Sequence, residues 1–340
     1  MIVFFLVFTF IITGMHCVCF WQSFGYNTLL LKLLPLCVSL VFMILISTTR
    51  NYYGFGASYI NILIHSWLGF IFLWFCVSML FLFLKLCRLN LPQYFSLITA
   101  AILSIFAFWT AFKTPHIKEI EIKNPKIKQA LIIAQISDTH LGKDISPERL
   151  KKALQKLAVY KPDFIFFTGD IFEETQNMQP YINLIKDLKA PCGKYVVSGN
   201  HEYYGGLAEN KKLFKQAGLI DLDNKTAESC NLIINGVSDI PDKNFLDKLE
   251  KQEKFSLLLS HQPKYFDEVF PKIDLMLSGH THAGQIWPFN YFVALRYKYI
   301  NGLYRKGGSN LYVNPGTFYW GPPMRLFTNN EITVFKLNEN

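Results

Sequence analysis

Leu131-Ile132-Ile133-Ala134-Gln135-Ile136-Ser137-Asp138-Thr139-His140 decides how the second half of this chain is read. A short apolar run reads as a strand buried on both faces, and this one stops on side chains that bind metals. The pattern recurs downstream. Phe164–Phe167 ends in Thr168-Gly169-Asp170, Tyr195–Val197 in Ser198-Gly199-Asn200-His201-Glu202, Leu257–Leu259 in Ser260-His261, and Ile273–Leu277 in Ser278-Gly279-His280-Thr281-His282. Between the runs, Leu150, Leu154 and Leu157 mark one amphipathic helical face, and Ile182, Ile185 and Leu188 another. Strands alternating with helices predict an α/β fold, and open α/β sheets bind ligands at the C-terminal ends of their strands. All five clusters fall there.

The chain has eight histidines, and all five beyond residue 120 sit in these clusters. Imidazole and carboxylate with one carboxamide, Asn200, suit borderline divalent ions such as Mn, Fe and Zn. A single Asp at a strand end is ordinarily a cap, and a single buried His is ordinarily a packed core residue. Eight ligand-type positions in succession fit neither reading. Ser137 and Ser260 precede ligands and are expected to orient them. Glu202, Tyr203 and Tyr204 either line a substrate mouth or pack in a loop, and Arg325 either grips a phosphate or pairs with a carboxylate. No Ser-His-Asp nucleophile pattern, P-loop or dinucleotide fingerprint is present.

Composition divides the 340 residues near residue 112. Residues 1–112 contain no Asp or Glu and only Lys32, Arg50, Lys85 and Arg88 as basic residues. Four apolar runs, about 1–20, 29–47, 62–84 and 94–112, are each long enough to cross a bilayer as a helix. Trp21, Tyr52, Tyr53, Trp67 and Tyr94 lie near the expected interfaces, and the first run reads as an uncleaved anchor. His16 and His65 read as helix–helix hydrogen-bonding or interface residues. Residues 113–128 read as a juxtamembrane linker and 129–340 as one soluble domain. Across 113–340, 30 basic residues face 25 acidic ones, too even a balance to argue for nucleic acid but suited to an anionic substrate or lipid surface. With four spans, Arg50, Lys113, Lys118, Lys123, Lys126 and Lys128 share a side against Lys32, Lys85 and Arg88, which favours a multi-pass protein of the cell membrane with a cytoplasmic catalytic domain. Cys192 and Cys230 show no framework spacing and read as small core residues, not a disulfide or a zinc site.

These clusters, in this order, resemble the calcineurin-like metallophosphoesterase superfamily over about residues 130–338. Gly279-His280-Thr281-His282-Ala283-Gly284-Gln285, with Asn314-Pro315-Gly316 through Trp320-Gly321-Pro322, is similar to its membrane-associated bacterial phosphodiesterase-like branch. That branch usually has glycine at the place of Ala283, and aspartate is common at that of Glu202; neither change removes a ligand. The resemblance implies a four-layer α/β/β/α sandwich after a four-helix transmembrane region. It implies two divalent ions, Mn foremost with Fe or Zn as alternatives. Asp138, His140 and His282 would bind the first, Asn200, His261 and His280 the second, and Asp170 both. His201 would be the catalytic residue.

The function expected is a membrane-anchored, metal-dependent phosphoesterase. It would act on a phosphodiester or pyrophosphate through a metal-activated water, with a phosphorylated small molecule or membrane lipid as substrate. A UDP-diacylglucosamine hydrolase step of lipid A synthesis is the runner-up. A non-catalytic metal-binding scaffold is the alternative of another class, and it is disfavoured because no ligand position is lost. A transporter reading lacks support because the apolar helices hold no acidic residue.

Overall fold

The computed structural model describes residues 2–49 and 56–339; Arg50, Tyr52 and Tyr53 lie outside them. The chain forms two compact units, one of residues 1–112 with 321–326 and one of 113–320 with 327–340.

The first unit holds helices α1 (Ile2–Phe24), α2 (Leu29–Thr49), α3 (Ala57–Leu86) and α4 (Phe95–Phe112). Each is long and apolar enough to cross a membrane. Buried polar groups satisfy one another between helices: His16 Nδ1 lies 3.0 Å from Ser39 Oγ, and Trp67 Nε1 donates to His16 Nε2 at 3.0 Å. Ser96 Oγ donates to Gln22 Oε1 at 2.5 Å. Such pairing keeps these groups from standing bare in hydrocarbon. The late segment Gly321–Leu326 also belongs here. The Arg325 backbone N–H donates to the Ala107 carbonyl, and Arg325 is fully buried.

The second unit has twelve strands: β1 (His116–Lys123), β2 (Leu131–Ile136), β3 (Phe164–Thr168), β4 (Gly193–Val197), β5 (Ile220–Asp221), β6 (Lys225–Ser229), β7 (Leu232–Val237), β8 (Phe255–Ser260), β9 (Leu275–Ser278), β10 (Gly302–Lys306), β11 (Ser309–Val313) and β12 (Glu331–Asn338). They form two mixed six-stranded sheets, ordered β1-β12-β2-β3-β4-β5 and β10-β11-β9-β8-β7-β6. Its helices are α5 (Pro147–Ala158), α6 (Gln179–Lys186), α7 (Asn200–Tyr204), α8 (Leu207–Gln216), α9 (Lys243–Asp247), α10 (Phe266–Val269) and α11 (Phe289–Arg296). Ile133, Phe166 and Phe335 of one sheet interlock with Ile234, Leu257 and Leu277 of the other in one buried core. Alternate residues of β3, Ile165 and Phe167, are buried on its other face. Helix α5 supplies Leu150, Leu154 and Leu157, and its start is fixed by Ser146, whose side chain accepts from Arg149 N, with Pro147 in the first turn. This is the expected α/β/β/α sandwich, preceded by four apolar helices.

Two expectations are corrected. Residues 113–128 are not a linker. β1 pairs in parallel with β12 over eight residues, Ile122 and Ile127 enter the core, and Lys126 binds Asp274 at 2.9 Å. The alternation Glu119-Ile120-Glu121-Ile122 is a strand signal of period two. Nor are Cys192 and Cys230 separate thiols, because they form a disulfide with Cα atoms 5.8 Å apart. Cys192 enters β4 of one sheet and Cys230 turns between β6 and β7 of the other, so only sheet packing brings them together.

Candidate metal centre

The central strands end side by side, and their loops deliver the clusters to one place. Beneath them Gln135 Nε2 donates to Thr168 Oγ1 and to the Ser278 carbonyl, both at 2.9 Å, which ties the ends of β2, β3 and β9 together. The backbone departs sharply from each strand. Asp138, His140, Asp170, His280 and His282 all have φ between +43° and +73°, a region that costs non-glycine residues about 1–3 kcal/mol each. Strain of this kind persists where the surroundings over-determine it. At Gly279 the approach is closest: a Cβ there would overlap Ser137 Oγ and the Asp138 carboxylate.

Two donor sets converge on either side of Asp170. In the first, His140 Nε2 lies 3.2 Å from His282 Nε2, which lies 3.4 Å from Asp138 Oδ1. In the second, His261 Nε2 lies 3.2 Å from Asn200 Oδ1, 3.1 Å from His280 Nδ1 and 3.2 Å from Asp170 Oδ2. The same Asp170 oxygen is 3.9 Å from His140 Nε2. Ligands held about 2.1 Å from one ion stand from about 3.0 Å apart at right angles to about 4.2 Å apart when opposite, so these separations fit two ions sharing Asp170. The tautomers fit as well. The Thr168 carbonyl can only accept, so His261 donates Nδ1–H to it at 2.8 Å and keeps a lone pair on Nε2. Burial above all lowers the His280 pKa to about 3, leaving that ring neutral.

His201, expected outside the ligand set, has its Nε2 3.9 Å from Asp170 Oδ2, near enough to Asp170 and His140 for the three to reach one ion. Its own backbone N–H donates to Asp170 Oδ1 at 2.9 Å. The Trp320 and Tyr204 rings lie 5.4 Å from it on edge-to-face geometry. Ser137 Oγ donates to Asp138 Oδ2 at 2.5 Å and so orients that carboxylate, whereas Ser260 Oγ donates to the Gln262 carbonyl and touches no ligand. Arg325 belongs to the helical unit.

Three residues have roles in the site that the sequence did not assign to them. Glu173 Oε2 lies 2.8 Å from both His140 Nδ1 and His201 Nδ1. Burial opposes its charge, but those two rings hold its pKa at about 2; as a carboxylate it can only accept, so both histidines donate Nδ1–H to it. For His201, burial disfavours the charged ring, but the Glu173 bond and Asp170 raise its pKa to about 9. A clue existed: Glu173 follows Asp170 by three residues on one loop. The second is Tyr297, whose hydroxyl lies 2.7 Å from His280 Nε2.

Glu202 is the third, and it is not at a substrate mouth. Fully buried, it accepts from Asp170 N, Ile171 N, Phe172 N and Gly199 N at 2.7–3.3 Å, clamping the loop that carries Asp170. Burial and the Asp170 charge push its pKa up to about 7. Each oxygen meets two N–H groups, so the amide of Glu202→Gln would set donors against donors. We expect that variant to lose about 1–3 kcal/mol of stability, read as a lowered urea midpoint of the metal-free protein.

Known proteins agree with this geometry. The calcineurin-like phosphoesterase family matches residues 131–284, the span from β2 to the turn after His282. An uncharacterised metallophosphoesterase of Campylobacter jejuni is 33% identical over 255 residues, 69% of this chain and 68% of its own length. The uncharacterised metallophosphoesterase YkuE of Bacillus subtilis is 35% identical over 259 residues, 67% of this chain and 88% of its own. A transmembrane protein with metallophosphoesterase domain from Danio rerio is 29% identical over 272 residues, 72% of this chain and 62% of its own. Sandwich, strand-end donors and relatives agree, and the chain belongs to the calcineurin-like metallophosphoesterase family.

Proposed function

We propose that the protein is a membrane-anchored dimetal phosphoesterase that hydrolyses a phosphodiester or pyrophosphate bond. The convergence of two nitrogen–oxygen donor sets on a shared Asp170 carries this reading. Asp138, His140 and His282 would hold one divalent ion and Asn200, His261 and His280 the other, with manganese the ion proposed. When bound, such ions activate water and offset charge on phosphate oxygens. The chain's own residues bind, orient and move the proton. His201, fixed through Nδ1 by Glu173, presents Nε2 toward the donors and protonates the leaving oxygen. Glu173 also holds His140, so one carboxylate aligns a ligand and the acid together. Trp320 and Tyr204 flank His201 and narrow the approach to it.

The test is to assay the purified full-length chain with Mn, Fe or Zn against a phosphomonoester, a phosphodiester and a lipid pyrophosphate. Hydrolysis of a diester or pyrophosphate that chelator abolishes is expected. No turnover by the ion-loaded protein on any of them would favour the scaffold reading. Tyr297→Phe should weaken one of the two ions by about 10–100-fold and leave the other in place, measured by metal titration.

For the side of the membrane, the disulfide favours a reading opposite to the charge count. Lys118, Lys123, Lys126 and Lys128 lie in or just after β1 of a folded unit, and folded domains cross membranes largely regardless of charge. Without them Arg50 and Lys113 face Lys32, Lys85 and Arg88. Disulfides persist in oxidising compartments, so we place the catalytic unit on the oxidising side. Protein trapped from cells and denatured should bind five maleimides without reductant, one per free cysteine, and seven after reduction. Seven before reduction would return the unit to the cytoplasm.

A further inference from the structure

Helix α11, which follows the Gly279–Gln285 turn, carries its apolar side outward. None of its residues is buried. Phe289, Tyr291 and Phe292 are exposed and Leu295 is 86% exposed, and at 100° per residue these four share one side of the helix. Trp287 and Phe327 extend the surface, their rings 5.9 Å apart and Phe327 71% exposed. A contiguous exposed apolar surface of this kind marks a contact with a partner or a bilayer.

The helix is fastened to the metal centre at both ends. Near its start, a Cβ at Gly284 would overlap Asn290 Cα, so the helix lies directly on the turn that carries His282. Just beyond its last residue, the Tyr297 hydroxyl lies 2.7 Å from His280 Nε2.

Charge decides what covers this surface. Residues 281–320 contain no Asp or Glu and carry Arg296, Lys298, Arg305 and Lys306. Lys298 and Lys306 bind Asp267 from outside that stretch. Among the described residues Arg296 and Arg305 form no ion pair. With Asp267 taken up by Lys298 and Lys306, a second copy of the chain would set the unpaired Arg296 and Arg305 against themselves. Aromatic rings beside unpaired arginines match instead the interface of an anionic bilayer, where rings sit at headgroup depth and each arginine adds electrostatic attraction. Four apolar helices already commit the chain to a bilayer, so a further lipid contact is intramolecular in character and costs little association entropy.

We propose that α11, with Trp287 and Phe327, is a bilayer-seated lip of the metal centre, its apolar side chains in the headgroup boundary and Arg296 and Arg305 among anionic headgroups. Its consequence, that the centre meets phosphates at headgroup depth, rests on the phosphoesterase reading; the lipid contact does not.

The test places photoreactive p-benzoylphenylalanine at position 295 of the full-length chain in nanodiscs of phosphatidylcholine and phosphatidylglycerol. Irradiation should attach phospholipid to the peptide holding residue 295. Arg296→Glu with Arg305→Glu should lower that yield roughly fivefold or more, while metal content and turnover on a soluble phosphodiester stay within about twofold. A crosslink to a second copy, a crosslink only within the chain, or no adduct would each overturn the proposal. A lipid adduct on a protein that hydrolyses nothing would uphold the contact and defeat the hydrolytic reading.

Discussion

Asp170→Asn is expected to abolish binding of both ions and to cut turnover by roughly 10³-fold or more. Its Oδ2 stands 3.2 Å from His261 Nε2 and 3.9 Å from His140 Nε2, so this oxygen is placed to serve both donor sets. Asparagine keeps an acceptor for the His201 N–H but loses the charge that two cations would share. Metal catalysis contributes several kcal/mol, and each 1.36 kcal/mol is tenfold in rate, which sets the expected drop. The contrast that separates a shared ligand from an ordinary one is His140→Ala. That variant should lose mainly the ion held with Asp138 and His282, leaving about one equivalent by elemental analysis. An Asp170→Asn protein that keeps both ions would refute the bridging role.

His201→Ala should behave differently, keeping its metal and losing turnover by about 10²–10⁴, the usual worth of a positioned acid. The ring's Nε2 faces the donors while Nδ1 is held by Glu173, so its removal leaves every proposed ligand intact. The loss should be steepest on substrates with poor leaving groups, which need the proton most. Undiminished turnover on such a substrate would exclude His201 as the acid. Glu173→Gln should weaken both functions of that carboxylate at once, loosening an ion and slowing proton transfer.

The parts of this site that were legible in the sequence are those written locally. Asp138, Asp170 and His280 each follow a buried strand directly, so one short stretch shows both the strand and the ligand it delivers. The apolar runs likewise expose the strands buried on both faces, as at Phe164–Phe167, whereas the two-sheet sandwich is what the family resemblance implies. What stayed hidden depends on distant pieces of chain meeting. Glu173 reads as one acid among several until His140 and His201 close on it. Tyr297 becomes relevant only when α11 folds back over His280. The Cys192–Cys230 bond has no spacing signature because two sheets create it. Arg325 reads equally as a phosphate binder or a carboxylate partner beside the late Pro-rich motif, and its segment packs with the apolar helices. Glu202 reads equally as a substrate-mouth or a loop-packing residue, and its burial becomes tolerable only because four backbone N–H groups close on it.

Direct counting of bound metal tests the central claim. The purified full-length chain in detergent is saturated with Mn, freed of loose ion and analysed for metal per polypeptide. Two equivalents are predicted, falling to none in Asp170→Asn. At most one equivalent in the unaltered chain would contradict a dinuclear centre built on Asp170.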